Sequence, residues 1–388
     1  MATKATRSRA TPQPVAQLTW EQVLAWRVRR HHLDRRAPRS AMLDVAAAIG
    51  GLQAQVMSCA ELTLWARVEG LEPDAVQRAL WEERTLVKTW AMRGTLHLLP
   101  SAELPLWLTA FGIDRRYFTP AWLRYFGTTR EELEQMAAAV AQALDGRSMT
   151  RGELADEVVR LTGAPQMGEC LRGSWGSFLK PVAYRGHLCF APSTGQNVRF
   201  TRPDRWLDGR QAAEPEHARR EATRRYLAAY GPATRDTFAS WSGATLAHAR
   251  GLIESLEDEV SVVDIDGTRG WMLTEHIAEL ADATPSGSVR LLPGFDQYVL
   301  GAPRDAPAVL LPSAFKSRVY RNQGWISPVL LIEGGMAGVW RHERKGSRLE
   351  VRIEPFAAVP VWARRAAEEE AERLAQFLGG TLTLSWTS

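Results

Sequence analysis

Cysteine is scarce: Cys59, Cys170 and Cys189 lie scattered through 388 residues. An odd, dispersed set builds no disulfide framework and fits a reducing compartment. No Cys-x-x-Cys and no His-Glu-x-x-His occurs, so no dedicated metal site is expected. The adjacent His31 and His32 would point apart on a helix and do not change this. No apolar run is long enough for a transmembrane helix, so no membrane association is expected. Lys4, Arg7 and Arg9 are followed by no apolar stretch, so the N-terminus does not read as a signal peptide. The Walker loop, Gly-x-Ser-x-Gly and Gly-x-Gly-x-x-Gly are also missing. Nucleotide-driven, esterase-like and dinucleotide-dependent chemistries lose their usual signatures, and no cofactor is expected.

What is present is bulk and dispersed basic charge. The length suggests two to four domains, and 45% hydrophobic residues support real cores. Lys and Arg number 48 against 44 Asp and Glu, a net charge of +4. Arginine clusters at Arg27 to Arg30, Arg35-Arg36, Arg219-Arg220, Arg224-Arg225 and Arg341 to Lys345 make a polyanionic partner plausible. Each cluster taken alone equally suits a solvated helix face.

Residues 1–17 are polar and read as a disordered basic tail. Thr19 can cap a helix from Trp20. A repeat follows. Arg93-Gly94-Thr95-Leu96-His97-Leu98-Leu99-Pro100 resembles Arg185-Gly186-His187-Leu188-Cys189-Phe190-Ala191-Pro192. Each reads as a glycine turn with a strand on either side, the preceding strands being Leu86 to Met92 and Pro181 to Tyr184. A third hairpin is centred on Asp266-Gly267. Helices precede each hairpin, which is the winged-helix layout. The expected units are 18–104, 105–212 and 213–285. From 286 to 388 short alternating strands follow, at Val289 to Leu292, Ala308 to Leu311, Trp325 to Ile332, Ala337 to Arg341 and Leu349 to Pro355. A charged helix from Val361 and a strand from Thr381 to Trp386 close the chain. The expected fold is α+β: three tandem winged-helix units, then a C-terminal antiparallel β-barrel.

Gly50-Gly51-Leu52-Gln53-Ala54-Gln55 stands out within the first unit. The glycines end the helix before it. In extended backbone, Gln53 and Gln55 share a face and both amides can reach one point. In a helix they would diverge by roughly 200°. Two polar residues on a solvated turn remain the alternative at this level.

The sequence resembles the AlkZ-like DNA glycosylases, a winged-helix DNA-binding family that removes bulky N-alkylated bases. The resemblance spans about residues 18 to 385. It rests on Gly51 to Gln55, on Thr89-Trp90-Ala91-Met92-Arg93-Gly94-Thr95-Leu96-His97-Leu98-Leu99, and on Leu179-Lys180-Pro181 with Gly186 to Phe190. Arg202-Pro203-Asp204, Leu291 to Gly301 and Val339-Trp340-Arg341 also fit. The order and spacing of these pieces are specific; no single piece is.

The resemblance implies a C-shaped molecule acting on double-stranded DNA that carries alkylated purines. It implies a monomer in the bacterial cytoplasm, associated with the nucleoid. Gln53 and Gln55 match the family's catalytic glutamine-apolar-glutamine motif. Arg93, Thr95, His97 and Lys180 become candidate DNA contacts, with His97 alternating outward on its strand. Arg341, Arg344 and Lys345 mark a hairpin that probes the duplex. Asp296 and Tyr298 read as buttresses of the C-terminal domain. Alkylation at guanine N7 or adenine N3 makes the base cationic, so it leaves neutral and no strong acid is needed. Oriented amides can hold a water and stabilise an oxocarbenium-like sugar. Without a lysine nucleophile the enzyme would be monofunctional and leave an abasic site. Interstrand crosslinks and self-resistance to a genotoxic natural product extend this reading. A non-catalytic winged-helix DNA-binding protein or transcription regulator is the alternative.

Overall fold

The computed structural model describes residues 13–387, apart from 113–116, 118, 174–175, 196, 208–212 and 304–306. Of the expected tail, residues 1–12 lie outside the described residues. Residues 13–17 are not a free tail. The Val15 N–H donates to the Val262 carbonyl at 2.9 Å, and β1 (Gln17–Leu18) pairs with Asp264 and Ile265.

The helix α1 (Trp20–Arg30) starts at a capping box between Thr19 and Gln22. The helix α2 (Met42–Ala48) ends before Gly50 and Gly51, which take φ of 74° and 83°. A Cβ on Gly51 would sit 2.5 Å from Leu99 Cδ2 and 2.9 Å from the Leu98 carbonyl oxygen. Only glycine lets the chain turn this close to the neighbouring strand. It enters β2 (Leu52–Gln53), then α3 (Met57–Trp65), α4 (Ala75–Trp81), β3 (Leu86–Trp90) and β4 (Leu96–Pro100), in a sheet of order β2-β4-β3.

Next come α5 (Leu104–Phe111), α6 (Arg130–Ala143), β5 (Met149–Thr150), α7 (Arg151–Thr162), α8 (Leu179–Tyr184), β6 (Cys189–Thr194) and β7 (Asn197–Thr201). The expected strand from Pro181 to Tyr184 is therefore helical. Leu179, Val182 and Ala183 are buried at helical spacing, and Pro181 falls in the first turn, where a missing N–H costs nothing. Arg185-Gly186 consequently ends a helix, and the hairpin of this unit is β6 with β7. Then follow α9 (Pro215–Tyr230), α10 (Arg235–Ser242), α11 (Leu246–Glu254), β8 (Val260–Ile265) and β9 (Thr268–Leu273). Asp266 and Gly267 both take positive φ between β8 and β9, as a tight hairpin turn requires.

The C-terminal region holds β10 (Val289–Leu292), β11 (Val329–Ile332), β12 (Gly335–Lys345), β13 (Arg348–Pro355), α12 (Val361–Phe377) and β14 (Thr381–Trp386). These strands form one five-stranded sheet in chain order. The expected antiparallel barrel is corrected twice. The sheet is open among the described residues, and β14 runs parallel to β13. Parallel neighbours need a crossover, which α12 supplies. That helix packs on β10 and β14 and covers the apolar face that closure would otherwise bury. The stretch Ala308 to Leu311 is a turn, with the Leu310 N–H donating to the Pro307 carbonyl at 2.9 Å.

The sheet β2-β4-β3 separates two cores. Leu52, Ala54 and Leu98 pack toward the C-terminal sheet and α12. Val87 and Leu99 join the core shared by the two middle units. Packing therefore runs across positions 104, 212 and 285. The first unit is tied to the last by Arg67 and Asp296, each 0% exposed, through two 2.7 Å hydrogen bonds. Asp296 also caps the backbone N–H of Tyr298 at 2.9 Å. Asp296→Leu strands a buried guanidinium and should lower stability by about 3–5 kcal/mol in urea unfolding. Arg67→Met combined with Asp296→Leu should recover most of that loss.

Candidate active site

The edge strand β2 sets Leu52 opposite Leu98 and Gln53 opposite His97. The ladder continues as the Ala54 N–H donates to the Leu96 carbonyl at 2.7 Å. Leu52 and Ala54 are both 0% exposed, so Gln53 between them belongs to the opposite face. The chain then bends at Gln55 and Val56 before α3. The two amides differ sharply in environment: Gln53 is only 7% exposed, whereas Gln55 is exposed.

Arg93 accounts for part of that difference. It sits in the turn between β3 and β4 with φ of 59°. Its Nη2 donates to Gln53 Oε1 at 3.0 Å and its Nη1 to the Trp241 carbonyl at 2.5 Å. Arginine only donates, so the Gln53 amide must turn its oxygen toward Arg93 and its nitrogen away. Trp241 lies in α10, which ends at Gly243 with φ of 79°. A Cβ on Gly243 would lie 3.2 Å from Arg93 Cα, so glycine both ends the helix and admits the turn. Thr95 Oγ1 donates to the Met92 carbonyl at 3.1 Å and braces the same turn. Lys180 reaches it from α8: a Cβ on Gly94 would lie 3.9 Å from Lys180 Nζ and 3.0 Å from Tyr117 Oη.

His97 does not face outward. It is 0% exposed because both faces of this sheet are covered. Gln53, His97 and Thr89 form a row across the three strands, on one face. Burial, then the nearby Arg93 charge, push the His97 pKa down to about 3, against a hydrogen bond with the Thr95 carbonyl at 3.0 Å. That carbonyl can only accept, so Nδ1 carries the proton and Nε2 is an acceptor. His97 Nε2 and Thr89 Oγ1 are both buried without a partner.

The turn thus brings Gln53, Arg93, Thr95 and Lys180 together, with His97 beneath them. Sequence reasoning missed Trp241, Gly243 and Thr89. Trp241 contributes a backbone carbonyl, which leaves no trace in residue identity. The glycine after a helix was the one available signal.

Arg341, Arg344 and Lys345 lie on the hairpin of β12 and β13 in the C-terminal sheet. Arg344 is engaged there, donating to the Leu378 carbonyl at 2.7 Å, and Lys345 pairs with Glu350 at 2.9 Å. Arg341 is exposed and stands directly across from Arg352. Other basic clusters brace the fold. Arg27 bonds the Gly231 and Pro232 carbonyls, Arg220 and Arg224 both bond Glu259, and Arg225 joins Glu221 and Glu103. Among the described residues no group of three or more His, Cys, Asp or Glu could hold a metal ion, and no helix is long and apolar enough to cross a membrane.

This mixed α+β frame is shared with a known DNA glycosylase, an enzyme that hydrolyses N-glycosyl bonds. The profile of the AlkZ-like DNA glycosylases matches residues 46–377, and the chain belongs to that family. It is 38% identical over 366 residues to an interstrand DNA cross-link repair glycosylase of Streptomyces sahachiroi, covering 93% of this chain and 97% of the relative. The solved structure of Streptomyces sahachiroi DNA glycosylase AlkZ superposes with a TM-score of 0.87 at 37% identity, covering 96% of this chain and all of that one.

The depressed His97 pKa gives a directed expectation. The unfolded chain takes up this proton near pH 6.5, and the folded chain only near 3. Stability should therefore fall as pH drops below 6.5, by up to ~1.4 kcal/mol per pH unit for this group. His97→Gln should flatten the fall, measured by urea unfolding at pH 7, 6 and 5. The His97 ring should show no NMR titration between pH 5 and 8.

Proposed function

We propose that this chain hydrolyses the N-glycosidic bond of bulky, cationic N-alkylated purines in duplex DNA. N7-alkylguanine adducts and interstrand crosslinks are its substrate class, and an abasic site is its product. The observation that carries this reading is the glutamine pair at the end of β2, one amide anchored and buried on the strand, the other exposed at the bend that follows. The crosslink-repair name of the Streptomyces sahachiroi relative supports the same class.

The chemistry follows from the charge of the substrate. The C1′–N bond breaks with its electron pair moving onto the alkylated base, which departs neutral. A water oxygen then bonds to C1′, and its proton passes to solvent. Neither step needs a strong acid, so neutral amides suffice if they are correctly oriented. With Oε1 held by Arg93, Gln53 offers Nε2, which has no partner among the described residues, as a donor to a sugar or phosphate oxygen. Gln55 is left to direct a water through its amide oxygen. No lysine nucleophile is invoked, and the enzyme is monofunctional in this reading.

In the same reading the helices and small sheets of the first three units are winged-helix modules that bend as a C around the duplex. The β12–β13 hairpin meets the duplex. Two arginines directly opposed on a sheet repel unless an anion lies between them, which suits Arg341 and Arg352 to a phosphate. The enzyme acts as a monomer on nucleoid DNA in the bacterial cytoplasm, and self-resistance to a DNA-alkylating natural product is the setting.

The test is a duplex carrying N7-methylguanine, with strand breaks read after alkali and the released base identified by mass. Wild type should release the base. Gln53→Ala and Gln55→Ala should each slow single-turnover release on the order of 10²-fold while duplex binding persists. Binding without base release by wild type would leave only a DNA-binding protein. Arg341→Ala should weaken duplex binding in every sequence context and reduce the slope of log K against log salt by about 1.

A further inference from the structure

The amide of Gln53 has two planar orientations, and nothing in glutamine itself selects one. In one, the donor nitrogen is free for substrate; in the other, the oxygen is. We propose that Arg93 is the positioning residue that selects the first, and that it makes this choice conditional on the third unit. The inference rests on the catalytic reading of Gln53.

Three observations support it. Arg93 contacts Gln53 through a group that can only donate, at 3.0 Å, so the opposite amide orientation would set donor against donor. Its second donor goes to the Trp241 carbonyl at 2.5 Å. That carbonyl is in the last turn of α10, where carbonyls lack helical partners and carry partial negative charge. One planar fork thus joins the catalytic strand of the first unit to a helix terminus of the third. A lysine is a single point of charge on a flexible stem and could not hold both acceptors in a fixed plane. Finally, the turn takes a left-handed φ of 59° at a non-glycine residue, with Gly243 cleared of a side chain against its Cα. This left-handed turn carries the guanidinium that reaches the Gln53 and Trp241 oxygens.

The guanidinium also polarises the amide it holds, which strengthens the Gln53 N–H as a donor. A substrate oxygen that Gln53 binds then gains only while α10 is docked. Movement of the third unit away from the first would release the amide and slow base loss without touching the lesion.

The experiment is single-turnover release of N7-methylguanine by the full-length chain at saturating enzyme, with duplex affinity measured in parallel. Arg93→Met should slow release on the order of 10²-fold at unchanged affinity, and the Arg93→Met, Gln53→Ala double variant should be no slower than Gln53→Ala. Arg93→Lys should fall between wild type and Arg93→Met, and the side-chain amide resonances of Gln53 should shift or double. A full release rate in Arg93→Met overturns the proposal, as does a double variant whose losses multiply. Lost affinity with an intact saturated rate makes Arg93 a DNA contact and also overturns it. If Arg93→Met does not fold, the rate and amide spectrum of Arg93→Lys decide: wild-type values in both overturn the proposal. Wild type that releases no base removes the glycosylase reading itself, an outcome distinct from a silent Arg93 variant in an active enzyme.

Discussion

The small sheet β2-β4-β3 has no solvent face, and most of the site follows from that. One side packs into the core that includes the C-terminal sheet, the other into the core of the two middle units. Any polar side chain on it must find a partner or remain unsatisfied, because burial without one costs on the order of 1–3 kcal/mol. Gln53 meets this demand at its amide oxygen through Arg93, and His97 at one of its two ring nitrogens. The sheet is therefore a buried platform on which few side-chain arrangements are tolerated. Such rigidity suits the proposed chemistry, which relies on oriented dipoles instead of charge.

Much of the frame was legible because it is written in local chemistry. Thr19 and Thr150 cap their helices through reciprocal bonds with Gln22 and Glu153. Asp266-Gly267 makes the hairpin that its dipeptide implies, and α12 and β14 fall where composition put them. The misreadings share one physical origin. An apolar run such as Pro181 to Tyr184 is equally a buried strand or a short buried helix, and tertiary packing decides between them. Sheet closure depends on where α12 lands, which no strand encodes. Alternation assigned His97 to a face but could not tell that this face is covered. The motif itself was visible, but its asymmetry was not, since that arises from Arg93 and a backbone carbonyl 148 residues away from it.

The arginines illustrate a related point. Their number suggested a polyanion partner, yet many spend their donors on carbonyls and carboxylates of the fold. Arg27, Arg30, Arg67, Arg220, Arg224 and Arg373 each bind groups distant in sequence. A guanidinium can bridge two elements at once, so a chain of several units uses it as an internal fastener. Basic content is then a poor measure of nucleic-acid surface. The arginines left exposed without such duties, Arg341 among them, carry more information than the total.

The short parallel pairing of β1 with β8 gives the molecule a property that a string of modules lacks. The segment before α1 is stitched to a strand some 245 residues later, at Leu18 against Ile265 among other pairs, so the path from the first unit to the third closes on itself. A linear array can lose an end module and leave the rest standing. Here the first contact along the chain and one of the later ones are the same contact. Loosening the first unit costs the β8–β9 hairpin its edge strand, and loosening the third leaves β1 unpaired, so the chain gains cooperativity from a ladder of two residues.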